Sequence, residues 1–159
     1  ELSWGWLFLT VLGIFSIEVA KNASGEIVDF DSGTDQGILP EDRSPFSGGK
    51  RVLVDGLLTR GQTIAISATT YLLGIMAGLV IASYRWTGVL WFGVAGVGLA
   101  FFYHMPPLKL SYRGLGELAV GIAYGPLVTA GTYLVQRKTV SLEVILVSLV
   151  LGLLIAAFL

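Results

Sequence analysis

Between Gln62 and Ser83 the chain reads QTIAISATTYLLGIMAGLVIAS, an unbroken stretch without one charged side chain. A helix needs roughly 20 such residues to cross the hydrocarbon of a bilayer. Comparable runs extend from Leu2 to Ala20, Trp86 to Tyr103, Leu115 to Val135 and Val140 to Leu159. The expected fold is therefore all-α, a polytopic transmembrane bundle with five helices in this chain. Composition agrees: 54% of residues are hydrophobic and 13% charged, and a soluble domain of 159 residues would struggle to hide that much apolar surface. Trp4, Trp6, Tyr84, Trp86 and Tyr103 fall near the predicted ends, where amphipathic rings prefer the headgroup zone. Gly74 with Gly78, and Gly121 with Gly125, place small surfaces on one helix face and permit close packing.

Five spans sort their connections onto two faces. Alternation puts residues 21–61 and 104–114 together on one of them. Lys21, Arg43, Lys50, Arg51, Arg60, Lys109 and Arg113 lie on that face, against Arg85, Arg137 and Lys138 on the other. The basic excess marks the first face as cytoplasmic, and an integral protein of the cell membrane is expected. No nucleic-acid partner is expected.

The same face carries carboxylates. Glu26, Asp29, Asp31 and Asp35 cluster where the first apolar segment leaves the membrane. Acids at the C-terminal end of a helix oppose its dipole and repel one another, so the cluster calls for a cation. If the helix continues past Ala20, Asn22 and Glu26 stack at i and i+4, Glu26 and Asp29 at i and i+3, and Gly33 ends it, leaving Asp35 to fold back. Asp31, Glu41 and Asp42 read instead as solvated. With no cysteine and the single His104, any metal must be held by oxygen, which favours Mg²⁺, Mn²⁺ or Ca²⁺. Mg²⁺ takes one or two protein carboxylates together with substrate phosphates.

Ser44 to Arg51 joins the Gly48-Gly49 pair to two adjacent cations, which suits a diphosphate but lacks Walker spacing. Its bland reading is that Lys50 and Arg51 only enforce topology. Val52 to Leu58 is expected as a short amphipathic element over the site. The second connection adds Lys109, Arg113 and a stiff Pro106-Pro107 pair. His104 reads as a base or as a structural residue, and Glu117 belongs in the first turn of the next helix, where it favours the dipole.

These residues resemble the UbiA superfamily of intramembrane prenyltransferases. Asn22 to Asp35 is similar to its first motif, Asn-x-x-x-Asp with a further Asp beyond. Ser44 to Gly49 and Tyr112 to Glu117 resemble its 1,4-dihydroxy-2-naphthoate branch. Anchored on Asp29 and Asp35, the usual Asn-Asp pair becomes Gly25-Glu26; anchored on Asn22, the next acid is Glu26.

The resemblance implies a bundle of about nine helices, of which residues 1–159 form one partial domain covering helices two to six. The chain begins at Glu1 without a methionine and stops inside an apolar run, and is read as a fragment. A second aspartate motif is expected after Leu159. The implied activity is Mg²⁺-dependent (or Mn²⁺-dependent) transfer of a polyprenyl group from its diphosphate to an aromatic acceptor such as 1,4-dihydroxy-2-naphthoate, in menaquinone or other quinone biosynthesis. Glu26, Asp29 and Asp35 are the expected metal ligands, and Asp29, Asp35 and Lys109 the expected catalytic residues. Asn22, Arg43, Lys50, Arg51, Tyr103, Lys109 and Arg113 would contact the diphosphate. Phe101, Phe102 and Tyr124 are candidates to stabilise an allylic cation. The competing reading is a transporter or channel with an acidic, cation-concentrating mouth, which calls for ionisable groups deep in the spans; the middle helices carry none.

Overall fold

A computed structural model describes residues 1–39 and 51–158, which contain helices and turns and no strand. The expectations for Glu41, Asp42, Arg43, Lys50 and the Ser44–Gly49 segment lie outside the described residues.

Helix α1, Trp4–Ser32, is 29 residues long. At 1.5 Å per residue it extends about 44 Å, so it overshoots a hydrocarbon core of roughly 30 Å by two or three turns. The stretch 21–32, the first part of the expected connection 21–61, is therefore helix, the continuation past Ala20 to a stop at Gly33 that the sequence left open. Its sequence explains why: no proline interrupts it, and it stops at Gly33, which turns left-handed (φ 79°) and donates its N–H to the Phe30 carbonyl at 3.2 Å.

Helix α2, Arg60–Tyr84, starts in a capping box in which Thr59 accepts from the Gln62 N–H and the Gln62 side chain accepts from the Thr59 N–H. Helix α3 is Val89–His104. Next comes one continuous rod, Gly116–Arg137, built of α4 (Gly116–Ile122), a π-helical segment (Ala123–Ala130) and α5 (Gly131–Arg137). Pro126 sits inside the π segment; it has no N–H to give the ladder, and the wider coil accommodates its ring. Helix α6 is Leu142–Phe158. Among the described residues three helices, α1, α2 and the rod, are long and apolar enough to cross a membrane, whereas α3 and α6, at 16 and 17 residues, are shorter than the expected spans.

The bundle is inside-out by the standards of a soluble protein. Along α1 the buried positions include Thr10, Gly13, Ser16, Ala20 and Ser24, while Trp4, Phe8, Val11 and Phe15 are exposed. Large apolar side chains facing outward suit lipid, and small ones inside let backbones approach. Ser67 Oγ accordingly reaches the Ala20 carbonyl at 3.0 Å, joining α2 to α1. Gly74, Gly121 and Gly125 are tight contacts as expected, but a methyl at Gly78 would touch nothing within 4 Å.

At the end near the N-terminus, Ser3 and Gln136 exchange two hydrogen bonds, 2.9 and 3.3 Å. Arg85 donates to the Val135 and Gln136 carbonyls at 3.0 and 2.9 Å with its guanidinium 5.7 Å from the Trp6 ring centre. The opposite end, where α1 stops, α2 starts, α3 stops and α4 starts, holds the acidic residues.

Candidate active site

Both connections anticipated on one face do meet there. Tyr112, in a 3₁₀ turn Leu110–Arg113, donates its hydroxyl hydrogen to Asp29 Oδ1, and Ser32 Oγ lies 3.3 Å from the same hydroxyl. Glu26 Oε1 accepts from the Leu53 N–H at 2.9 Å. Residues 52–58 thus lie over the site, but as turns rather than the expected amphipathic element: Gly56 adopts φ 68°, and the Asp55 N–H bonds the Arg51 carbonyl at 2.8 Å. Asp31 pairs with Arg60 in the open, in keeping with a solvated neighbour.

Asp35 is the buried acid among the described residues, 4% exposed. Its Oδ2 has no hydrogen-bond partner among the described residues. Burial pushes its carboxyl up to about 6, the Glu26 and Asp29 carboxylates add to the shift, and Arg51 opposes it. Arg51 is placed by its own bonds, Nη1 to the Asp35 carbonyl at 2.7 Å and Nε to Asp55 Oδ1 at 3.2 Å. Three acids are thereby within electrostatic reach of one another, two already hydrogen-bonded and one with a bare oxygen. Among the described residues no three acidic or histidine side chains come together in a group that could hold a metal ion by itself. An open acidic cluster of this kind fits an ion that draws its remaining ligands from water and phosphate.

The other expected contacts divide. Lys109, in a left-handed conformation at φ 45°, holds its ammonium 5.6 Å from the Tyr112 ring centre, so it travels with the residue bonded to Asp29. Arg113 is turned aside to the Pro107 carbonyl at 3.0 Å. Asn22 faces down the helix, donating to Glu18 Oε1 at 3.2 Å. The His104 ring packs on Gly25, where a methyl group would come within 2.6 Å of it, and its buried Nδ1 has no partner among the described residues. Glu117 does occupy the first turn of α4.

Beneath the acidic end lies an apolar cavity of about 190 Å³ between α1, α2, α3 and the rod. Phe92, Tyr103 and Tyr124 line it; Phe101 and Phe102 do not, and stack instead on each other at 5.3 Å. Two charged residues line it, Glu18 and Lys21, their oxygen and nitrogen 2.6 Å apart. Neither was singled out by sequence reasoning, which counted Lys21 for topology and took Glu18 as part of a span. The signal was present: a carboxylate inside an apolar run, three residues before a lysine and four before an asparagine.

Comparison with known proteins agrees with this geometry. Residues 1–159 match the UbiA prenyltransferase family. The chain is 30% identical over 145 residues, 89% of its length, to a 2-carboxy-1,4-naphthoquinone phytyltransferase of Synechocystis sp., of which it covers 43%. It is 28% identical over 153 residues, 95% of its length, to a 1,4-dihydroxy-2-naphthoate octaprenyltransferase of Bacillus subtilis, of which it covers 47%. The chain thus spans less than half the length of these curated relatives. No solved structure matches it. An all-helical membrane bundle with an acidic end over an apolar cavity, matched by the family along its whole length, belongs to the UbiA prenyltransferase family.

Proposed function

We propose that this chain is part of a membrane transferase that moves a polyprenyl group from its diphosphate to a small aromatic acceptor of the naphthoate class, in quinone biosynthesis. The observation that carries the reading is the buried Asp35 carboxyl, with an oxygen that has no partner among the described residues, beside Glu26, Asp29 and Arg51 and set over an apolar cavity. The names of the relatives supply the substrate class.

Glu26, Asp29 and Asp35 would hold Mg²⁺, with Mn²⁺ as an alternative. When bound, the ion would supply charge neutralisation on the diphosphate oxygens. Arg51, beyond its present bonds to the Asp35 carbonyl and Asp55, and Lys109 would meet further phosphate oxygens as negative charge grows on the leaving group, with Arg43 and Lys50 as further candidates. Arg113 and Asn22 reach such a role only by leaving their present partners, and Tyr103 lies below, on the cavity wall. The apolar lining of the cavity would limit water around an allylic cation, and Phe92, Tyr103 and Tyr124 on its wall are the aromatic candidates to stabilise it. The basic excess on the same connections argues that this end faces the cytoplasm of a cell membrane.

Transfer of a labelled prenyl diphosphate by the intact protein should require Mg²⁺ and fall at least about 100-fold in Asp29→Ala and in Asp35→Ala. Undiminished transfer in both would remove the metal role. Failure to consume any prenyl diphosphate would sink the transferase reading.

A further inference from the structure

Glu18 and Lys21 form an ion pair inside an otherwise apolar wall. Lys21 Nζ donates to Glu18 Oε1 at 2.6 Å and lies 5.4 Å from the Tyr103 ring centre. Asn22 also donates to Glu18, at 3.2 Å, and Tyr124 lines the same cavity. Such a pair is weak evidence for stability, because well-packed apolar residues commonly do as well in its place. An ionisable group kept inside a bundle points instead to something it binds. Despite its two partners, the Glu18 side chain remains 36% exposed, on the cavity wall.

The position is informative. Glu18, Asn22, Gly25 and Asp29 follow at steps of three and four along α1 and so share one face. The step from Glu18 to Asp29 is 11 residues, about 16 Å along the axis. That is room for a diphosphate at the acidic end and an aromatic ring end-on beneath it.

We infer that Glu18 and Lys21 are the acceptor-recognising pole of the cavity, taking a bicyclic aromatic acid with adjacent carboxylate and hydroxyl groups. Lys21 meets the ligand carboxylate, Glu18 accepts from the hydroxyl, and Tyr103 and Tyr124 flank the ring. The pair also discriminates: a ring with hydroxyl alone offers Lys21 no partner beyond Glu18, and a ring with two carboxylates sets one against Glu18. The assignment rests on the aromatic-acceptor reading above.

The test is calorimetric titration of the intact protein in lipid nanodiscs with 1-hydroxy-2-naphthoate, 1-naphthol and 2-naphthoate. The unmodified protein should bind 1-hydroxy-2-naphthoate at least tenfold tighter than either analogue. Lys21→Met should erase the preference over 1-naphthol and Lys21→Arg should restore part of it, while Glu18→Gln should erase the preference over 2-naphthoate. In turnover, the KM for the acceptor should rise with the KM for prenyl diphosphate unchanged within twofold. Absence of discrimination by the unmodified protein overturns the inference, whether or not the variants fold. So does a rise in the KM for prenyl diphosphate matching that for the acceptor. Discrimination without turnover would fail the transferase reading and keep this one; turnover without discrimination would do the reverse.

Discussion

Tyr112 and Asp29 are 83 positions apart, yet the hydroxyl of one is hydrogen-bonded to the carboxylate of the other. The bond ties the connection between α3 and α4 to the end of α1, and it carries Lys109 with it through the contact between that ammonium and the Tyr112 ring. Tyr112→Phe keeps the ring and removes the tie. The expected loss is about 1 kcal/mol of stability. Faster proteolysis within residues 105–115 and a severalfold rise in the KM for prenyl diphosphate should accompany it. An unchanged cleavage rate would show that the connection is held by other contacts.

Asp35 predicts a pH dependence. Its carboxyl ordinarily titrates at 3.8 and is raised to about 6 in the fold, first by burial and then by Glu26 and Asp29. The folded state therefore holds a proton more tightly than the unfolded chain does. That contribution to stability is fully present below pH 3.8 and is lost as pH rises through about 6. Without divalent cation, the melting temperature should fall between pH 4 and about 6.5, and Asp35→Asn should flatten the fall. Added Mg²⁺ should restore stability mainly above pH 6, where it competes with fewer protons. A melting curve indifferent to pH in the unmodified protein would contradict the burial of this acid.

Much of this arrangement is legible in the sequence because lipid imposes simple rules. Largely apolar runs of near-spanning length located the helices, and Gly33 was recognisable as a stop because only a residue without Cβ turns left-handed there cheaply. Alternation of spans brought Tyr112 to the same end as Asp29. What escaped depends on packing. The π segment around Pro126 needs neighbours to choose it over a kink, and residues 52–58 became turns because Gly56 and the Leu53 bond to Glu26 favour them over a helix of seven residues. The Glu18–Lys21 pair was hidden by counting charges per span, when its meaning lies in which wall of the bundle it faces.

Close approach of the rod to α6 yields a steric prediction. A methyl group at Gly125 would lie 2.5 Å from the Ser148 carbonyl oxygen and 2.8 Å from Gly152 Cα, and both neighbours are backbone. Gly125→Ala should cost about 1–3 kcal/mol, since neither helix can yield a side chain. Gly98→Ala, on α3 with nothing within 4 Å, should change stability by less than about 0.5 kcal/mol. Melting in detergent of the two variants side by side checks the contrast, and equal effects would mean that the rod and α6 are not packed this closely.

Gly25 and His104 should be coupled in the same way, but through a side chain that can be removed. A methyl at Gly25 would come within 2.6 Å of the imidazole, so Gly25→Ala must push His104 out of its place against α1. His104→Ala on its own leaves a void beside Gly25 and should also destabilise. Combined, the new methyl occupies space the ring has vacated, and the double variant should be more stable than the sum of the single losses predicts. The expected interaction energy is about 1–2 kcal/mol of favourable sign, within the range measured for residues in contact. A double-mutant cycle by thermal denaturation measures it directly. Simple additivity would mean that His104 does not rest on Gly25, and the route by which α3 closes over the acidic face of α1 would have to be drawn through other residues.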